Sequence, residues 1–269
     1  MFNTSWIKIF AFFGVWASIW LPIALVIYRF IDWQPNQTLI PKQKLILLGS
    51  LYALTPLIIS WKIKVENLSL AHFGLAPNPD ILPAIILGLI LSLVSLMIIF
   101  CLESILGLVS WDWQNIQQLL WSILPILGLS LFISLVEELV FRGYIFTILI
   151  TDHSYWLAAT MSSLIFALLH LIWERKTTLP QIPGLWLMGM ILVAARLVNN
   201  DSIYLAVGLH AGWIWGLTCI DSAQLVTYNY QNHWFTGINC QPLAGMAGLS
   251  SLAFTGLILW LIMDSQLLF

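Results

Sequence analysis

Long apolar runs alternate with short polar connections along the whole chain. A helical bilayer crossing takes about 20 apolar residues. On that ruler the runs predict eight spans, at about 9–28, 44–62, 81–102, 119–150, 156–174, 184–199, 203–220 and 244–263. The sixth is the shortest. The connections are too short to hold a soluble domain. The longest, about 220–243, is polar and aromatic and is expected to fold back against the membrane surface. The reading is one integral membrane domain over residues 1–269, all-α, a polytopic bundle of about eight transmembrane helices.

The first run is not expected to be a cleaved signal peptide, because its apolar core is too long and no small-residue cleavage site follows. Trp6, Trp33, Trp61, Trp111, Trp113, Trp121, Trp156, Trp173 and Trp234 sit near expected span ends, as an interfacial aromatic belt would. Pro22, Pro56 and Pro125 are expected to interrupt helices, which neighbours in a bundle tolerate. An internal repeat is not evident, so an inverted-repeat transporter gains no support. Lys8, Lys62, Lys64 and Arg196 fall on one expected side; Arg29, Lys42, Lys44, Arg175 and Lys176 fall on the other. That balance assigns no orientation by the positive-inside rule.

Composition agrees with a lipid solvent. Charged residues make up 8% of the 269 and hydrophobic ones 60%, against about 25% charged in a soluble domain. Such a chain is too apolar to be disordered. Ten Lys and Arg against twelve Asp and Glu leave a net charge of −2, with no basic stripe, so nucleic acid is not an expected partner. Membrane lipids are. The cysteines Cys101, Cys219 and Cys240 are odd in number and form no C-x-x-C pair, which argues against a disulfide framework or a thiolate zinc site.

Most charges lie at expected span ends, but the fourth span carries Glu137, Glu138 and Arg142 inside an apolar run. Three isolated charges near the bilayer centre cost on the order of 8–10 kcal/mol on insertion scales, so they are expected to face a polar cavity. Glu138 and Arg142 are four residues apart and can pair on one helical face. Glu137 points about 100° away from Glu138 and is left freer for chemistry. A purely structural salt-bridge knot is the plainer reading, yet one Glu and one Arg would suffice for it. His170 ends the fifth span and His210 lies inside the seventh. A lone intramembrane histidine is as readily a packing group as a functional one; a Glu and two His from three helices can build a site in a bundle core. His72, His153 and His233 fall in loops and read as surface residues.

Glu137-Glu138-x-x-Phe141-Arg142-Gly143-Tyr144, Phe166-x-x-x-His170 and His210-Ala211-Gly212-Trp213, in this order on successive apolar helices, resemble the CPBP family of intramembrane proteases. This is the CAAX-protease and bacteriocin-processing family, also called the ABI family, similar to type II CAAX prenyl endopeptidases. Trp234-Phe235-Thr236-Gly237 and Pro242-Leu243-Ala244-Gly245 resemble a family tail, which makes about 119–245 the motif core. Many members have Asn four residues after the third-motif His; here that position is Ile214, which removes one possible oxyanion donor, and the His210-Ala211-Gly212-Trp213 variant resembles a bacterial and plastid-type subset. The resemblance implies an eight-helix membrane protein, in a bacterial cell membrane, that cleaves a membrane-associated or lipid-anchored peptide, a prenylated protein among the candidates.

On this resemblance Glu137 is the general base, His170 orients the water with it, and His210 stabilises the oxyanion. Glu138, Arg142, Phe166 and Trp213 are supporting residues. Amide hydrolysis needs those three functions and an acid for the leaving amine. Glu137, His170 and His210 also match a catalytic zinc sphere with one open position, although no H-E-x-x-H helix is present. Chemistry without a cofactor is the favoured reading and zinc the alternative. Two other functions stay open: a non-proteolytic membrane scaffold or bacteriocin self-immunity protein of the same fold, and a proton-coupled transporter, in which intramembrane Glu and His serve as relays.

Overall fold

In lipid a peptide group has no water to bond, so each apolar run must satisfy its backbone internally, and helices result. The computed structural model describes residues 4–31, 40–77 and 79–267; Trp33 lies outside the described residues. The helices are α1 (Thr4–Tyr28), α2 (Pro41–Tyr52), α3 (Thr55–Glu66), α4 (Ile81–Ile105), α5 (Ile116–Glu138), α6 (Phe146–Leu149), α7 (Tyr155–Leu169), α8 (Arg175–Thr178), α9 (Ile182–Val198), α10 (Tyr204–Ser222) and α11 (Met246–Leu267). A π-helical turn, Leu139–Ile145, joins α5 to α6 in one continuous rod.

Among the described residues seven helices are long and apolar enough to cross a membrane. The eighth expected span is α10. It carries Gly208, Gly212, Gly216, His210 and Asp221 and so is less apolar than the others, because its neighbours are helices rather than lipid. It packs chiefly on α4 and α5, and Leu205–Trp213 are buried without a break. Gly208 permits this. A Cβ there would strike the Ile85 carbonyl of α4, and Gly88 of α4 meets the backbone of Leu205 and Leu209 in return. Small residues let membrane helices approach at backbone distance. Trp213 then pins the pair, its Nε1 donating to Ser95 Oγ of α4 at 3.1 Å.

Two of the expected proline interruptions are interior, Pro22 in α1 and Pro125 in α5. Pro56 differs: it lies in the first turn of α3, just past a break in the second span. A proline ring clashes with the carbonyl four residues back and offers no N–H, which here is the carbonyl of Tyr52. The helix therefore stops at Tyr52 and restarts at Thr55. The 220–243 connection is not wholly irregular. Strand β1 (Val109–Trp111) pairs antiparallel with β2 (Val226–Tyr228), and β3 (Asn232–His233) with β4 (Gly237–Ile238). Trp113, Trp121, Trp156 and Trp234 are exposed, as belt residues would be, whereas Trp16 and Trp213 are buried in the bundle.

Candidate active site

The fourth-span motif straddles a change of helix type. Glu137 and Glu138 end α5, and Arg142 sits in the middle of the π-helical turn. The Phe146 N–H bonds back to the Phe141 carbonyl, five residues earlier. One-turn π-bulges widen a helix and recur at functional sites. Two side chains from other helices serve the carbonyls of this widened turn. Ser162 Oγ of α7 donates to the Phe141 carbonyl at 2.8 Å. The buried Arg196 guanidinium of α9 donates to the Arg142 carbonyl, and to Thr147 Oγ1 at 2.9 Å.

The expected ion pair forms: Arg142 Nη1 stands 3.0 Å from Glu138 Oε1, with both side chains fully buried. The rest of the arginine is held by an aromatic face, with Cζ 4.5 Å from the centre of the Phe166 ring. Phe166 thereby acts as a cation–π partner as well as a motif residue.

His210 enters between the two glutamates. Its Nδ1 lies 2.8 Å from the same Glu138 Oε1 that receives Arg142, and its Nε2 lies 3.7 Å from Glu137 Oε2. Two adjacent helical residues diverge by about 100°, so they can bracket opposite edges of one imidazole. Glu138 is thus shared by Arg142 and His210, which the i,i+4 spacing alone does not reveal. Glu137 has a further partner from outside the motifs: the Tyr52 hydroxyl of α2 donates to its Oε1.

His170 belongs to the same neighbourhood by a different route. Its ring packs edge-on against Phe166, centroids 4.5 Å apart, and Phe166 also meets the His210 ring at 5.9 Å. Its Nδ1 lies 2.8 Å from the Phe166 carbonyl. A carbonyl only accepts, so Nδ1 carries the proton and Nε2 keeps its lone pair. Both histidines therefore have Nδ1 anchored, one by a carboxylate and one by a carbonyl, the outer-shell support that fixes a working imidazole. Among the described residues no hydrogen bond or ion pair joins His170 to Glu137 or His210. His170 is only half-buried, at the point where α7 ends and a short 3₁₀ turn, His170–Ile172, begins.

The zinc alternative asks for a tighter grouping. Among the described residues no three His, Cys, Asp or Glu side chains come close enough together to hold a metal ion. Glu137, His170 and His210 as they stand do not form a ligand sphere.

Residues 119–216 match the family model described as type II CAAX prenyl endopeptidase Rce1-like. Over this segment the chain is similar to the CAAX-protease family. The match covers little more than a third of the chain and runs from α5 into α10, so it contains Glu137, Glu138, Arg142, Phe166, His170, Arg196 and His210 but not Tyr52. Neither the curated proteins nor the solved structures include a significant match to the chain. The membrane-capable helices describe an integral, multi-pass membrane protein, and the matched segment is similar to a protease family.

Proposed function

We propose that the protein is an intramembrane endopeptidase that hydrolyses a membrane-associated or lipid-anchored peptide with a water activated by Glu137, without a metal. The observation that supports this most is the Glu137–His210 pair: an acceptor and an imidazole 3.7 Å apart, each anchored from behind, Glu137 by Tyr52 and His210 by Glu138. A water between Glu137 Oε2 and His210 Nε2 can touch both. Glu137 takes its proton as the oxygen attacks the scissile carbonyl, and later passes that proton to the leaving amine. Protonated at Nε2, His210 donates to the developing oxyanion, and Glu138 stabilises the positive charge on the ring, as the buried carboxylate of a hydrolase triad does. Arg142 offsets the charge of Glu138. His170, with Nε2 as an acceptor, completes the water's orientation.

Comparative membrane proteomics of cells carrying wild type or Glu137→Gln tests this reading. One or a few uncleaved membrane-associated precursors are expected to accumulate in the variant. Identical proteomes, with a Glu137→Gln variant that keeps the cellular phenotype of wild type, would favour the scaffold function instead.

A further inference from the structure

The second span contributes to the site from outside the matched segment. Its helix is broken by design of the sequence: Pro56 cannot donate to the Tyr52 carbonyl and its ring excludes the α-helical path through it, so α2 ends at Tyr52. The broken end is held by α1. Trp16 Nε1 donates to the Leu51 carbonyl at 3.1 Å, and Trp20 Nε1 donates to Ser50 Oγ at 3.0 Å. Two tryptophans thus fix the residues just before Tyr52, and the phenol reaches across to Glu137 Oε1.

We propose that Tyr52 is a positioning residue of the site. The phenol donates to one oxygen of Glu137 and so turns the other, Oε2, toward His210. The inference rests on the reading of Glu137 as the base. The two carboxylate oxygens are otherwise equivalent, and His210 lies close by as a competing donor. A neighbouring cation would draw the carboxylate out of line with the water. A fixed phenol holds one oxygen and leaves the second free to accept the water's proton. The break at Pro56, the tryptophan bonds and the tyrosine act as one device that delivers a donor to the carboxylate from a part of the chain the family match does not reach.

The test uses full-length protein in detergent micelles and in vesicles, with three forms of position 52. Tyr52→Phe removes one oxygen and no volume. Its kcat on a lipidated peptide is expected to fall about tenfold, the value of one hydrogen bond to a charged group, with KM within about twofold of wild type. Replacement of Tyr52 by 3-fluorotyrosine keeps the hydroxyl and is expected to keep wild-type kcat. The fluorine resonance of that protein reports the contact without any substrate, and it is expected to move when Glu137→Gln is added. A resonance indifferent to Glu137→Gln overturns the proposal by showing no phenol–carboxylate contact. A resonance that moves while Tyr52→Phe retains wild-type kcat also overturns it, since the contact then positions nothing. Wild-type hydrolysis by Glu137→Gln itself would remove the base, and the positioning role with it, and that failure is told apart because it appears in the Glu137 variant alone.

Discussion

At the residue scale the site is a chain of anchored groups, Arg142 to Glu138 to His210 to Glu137 to Tyr52. Its first link is a buried ion pair, which contributes little net stability while intact but costs much to break. Arg142→Leu leaves Glu138 buried without its cation, a loss of about 3–5 kcal/mol. Thermal unfolding in micelles checks this; a melting temperature equal to wild type would count against a buried pair. The histidines divide by their anchors. His210→Ala is expected to lower kcat more than it raises KM, because an oxyanion donor acts mainly in the transition state. Metal analysis of purified wild type is expected to find no stoichiometric zinc, and strong chelators to leave activity intact. About one zinc per chain with reversible loss on chelation would overturn the metal-free chemistry. The motif residues were legible because charge inside an apolar run is costly and therefore conspicuous. Their anchors were not. Tyr52 is one aromatic among many in an apolar helix, and the Phe166 carbonyl that fixes His170 is backbone, invisible to any pattern of side chains. The Glu138–His210 bond depends on where α10 crosses α5, which no spacing within one helix encodes.

At the scale of elements, two features set the geometry, the π-helical turn and the α4–α10 contact. The turn Leu139–Ile145 is supported by Ser162 and Arg196, which serve the carbonyls of Phe141 and Arg142. Arg196→Met removes the donor from a buried carbonyl and the bond to Thr147, and is expected to cost about 2–3 kcal/mol. Arg196→Lys, with one compact charge in place of a planar fork, recovers only part of it. Denaturation curves of the two variants check the order. Gly208→Val drives a side chain into the α4 backbone at Ile85; it is expected to unseat α10 and with it His210, read as loss of folded monodisperse protein. Approximate span bounds followed from apolar run lengths, as α4, α5 and α7 show. The π-helical turn did not, because one shifted hydrogen bond leaves the apolar pattern unchanged. The break of the second span was signalled by Pro56 but not its consequence, the placement of Tyr52.

For the whole molecule, the N-terminal helices clasp the half that carries the motifs. Asp152, beyond α6, accepts the Ser5 N–H at 2.8 Å and the Thr4 hydroxyl at 3.1 Å, which holds its carboxyl below the usual range and caps α1. At the other end Lys44 of α2 donates to Glu174 at 2.7 Å, and Trp173 meets Trp20 edge-on. Glu174 follows the turn that carries His170, so the same helix that ends in Tyr52 also tethers the His170 segment. The Lys44 contact holds the Glu174 carboxyl below its ordinary value. Its stabilisation is therefore complete above the unfolded carboxylate pKa of about 4.3 and is lost as pH falls through the lower folded value. Both side chains are partly exposed, so the contribution is under about 1 kcal/mol. Melting temperatures of wild type and Glu174→Gln are expected to differ slightly at neutral pH and to converge in acid, once the pH lies below the lowered folded value.

The central claim is that the Glu137 carboxylate activates the water, and the most direct measurement is peptide hydrolysis by purified wild type and Glu137→Gln in the same vesicles. Glutamine keeps the size but cannot take a proton. The account predicts that wild type cleaves a lipidated peptide and that kcat/KM falls by at least ~10²-fold in the variant, since general-base catalysis is worth ~10²–10⁴. Glu137→Gln, folded as wild type by its melting curve and cleaving at the wild-type rate, would contradict it.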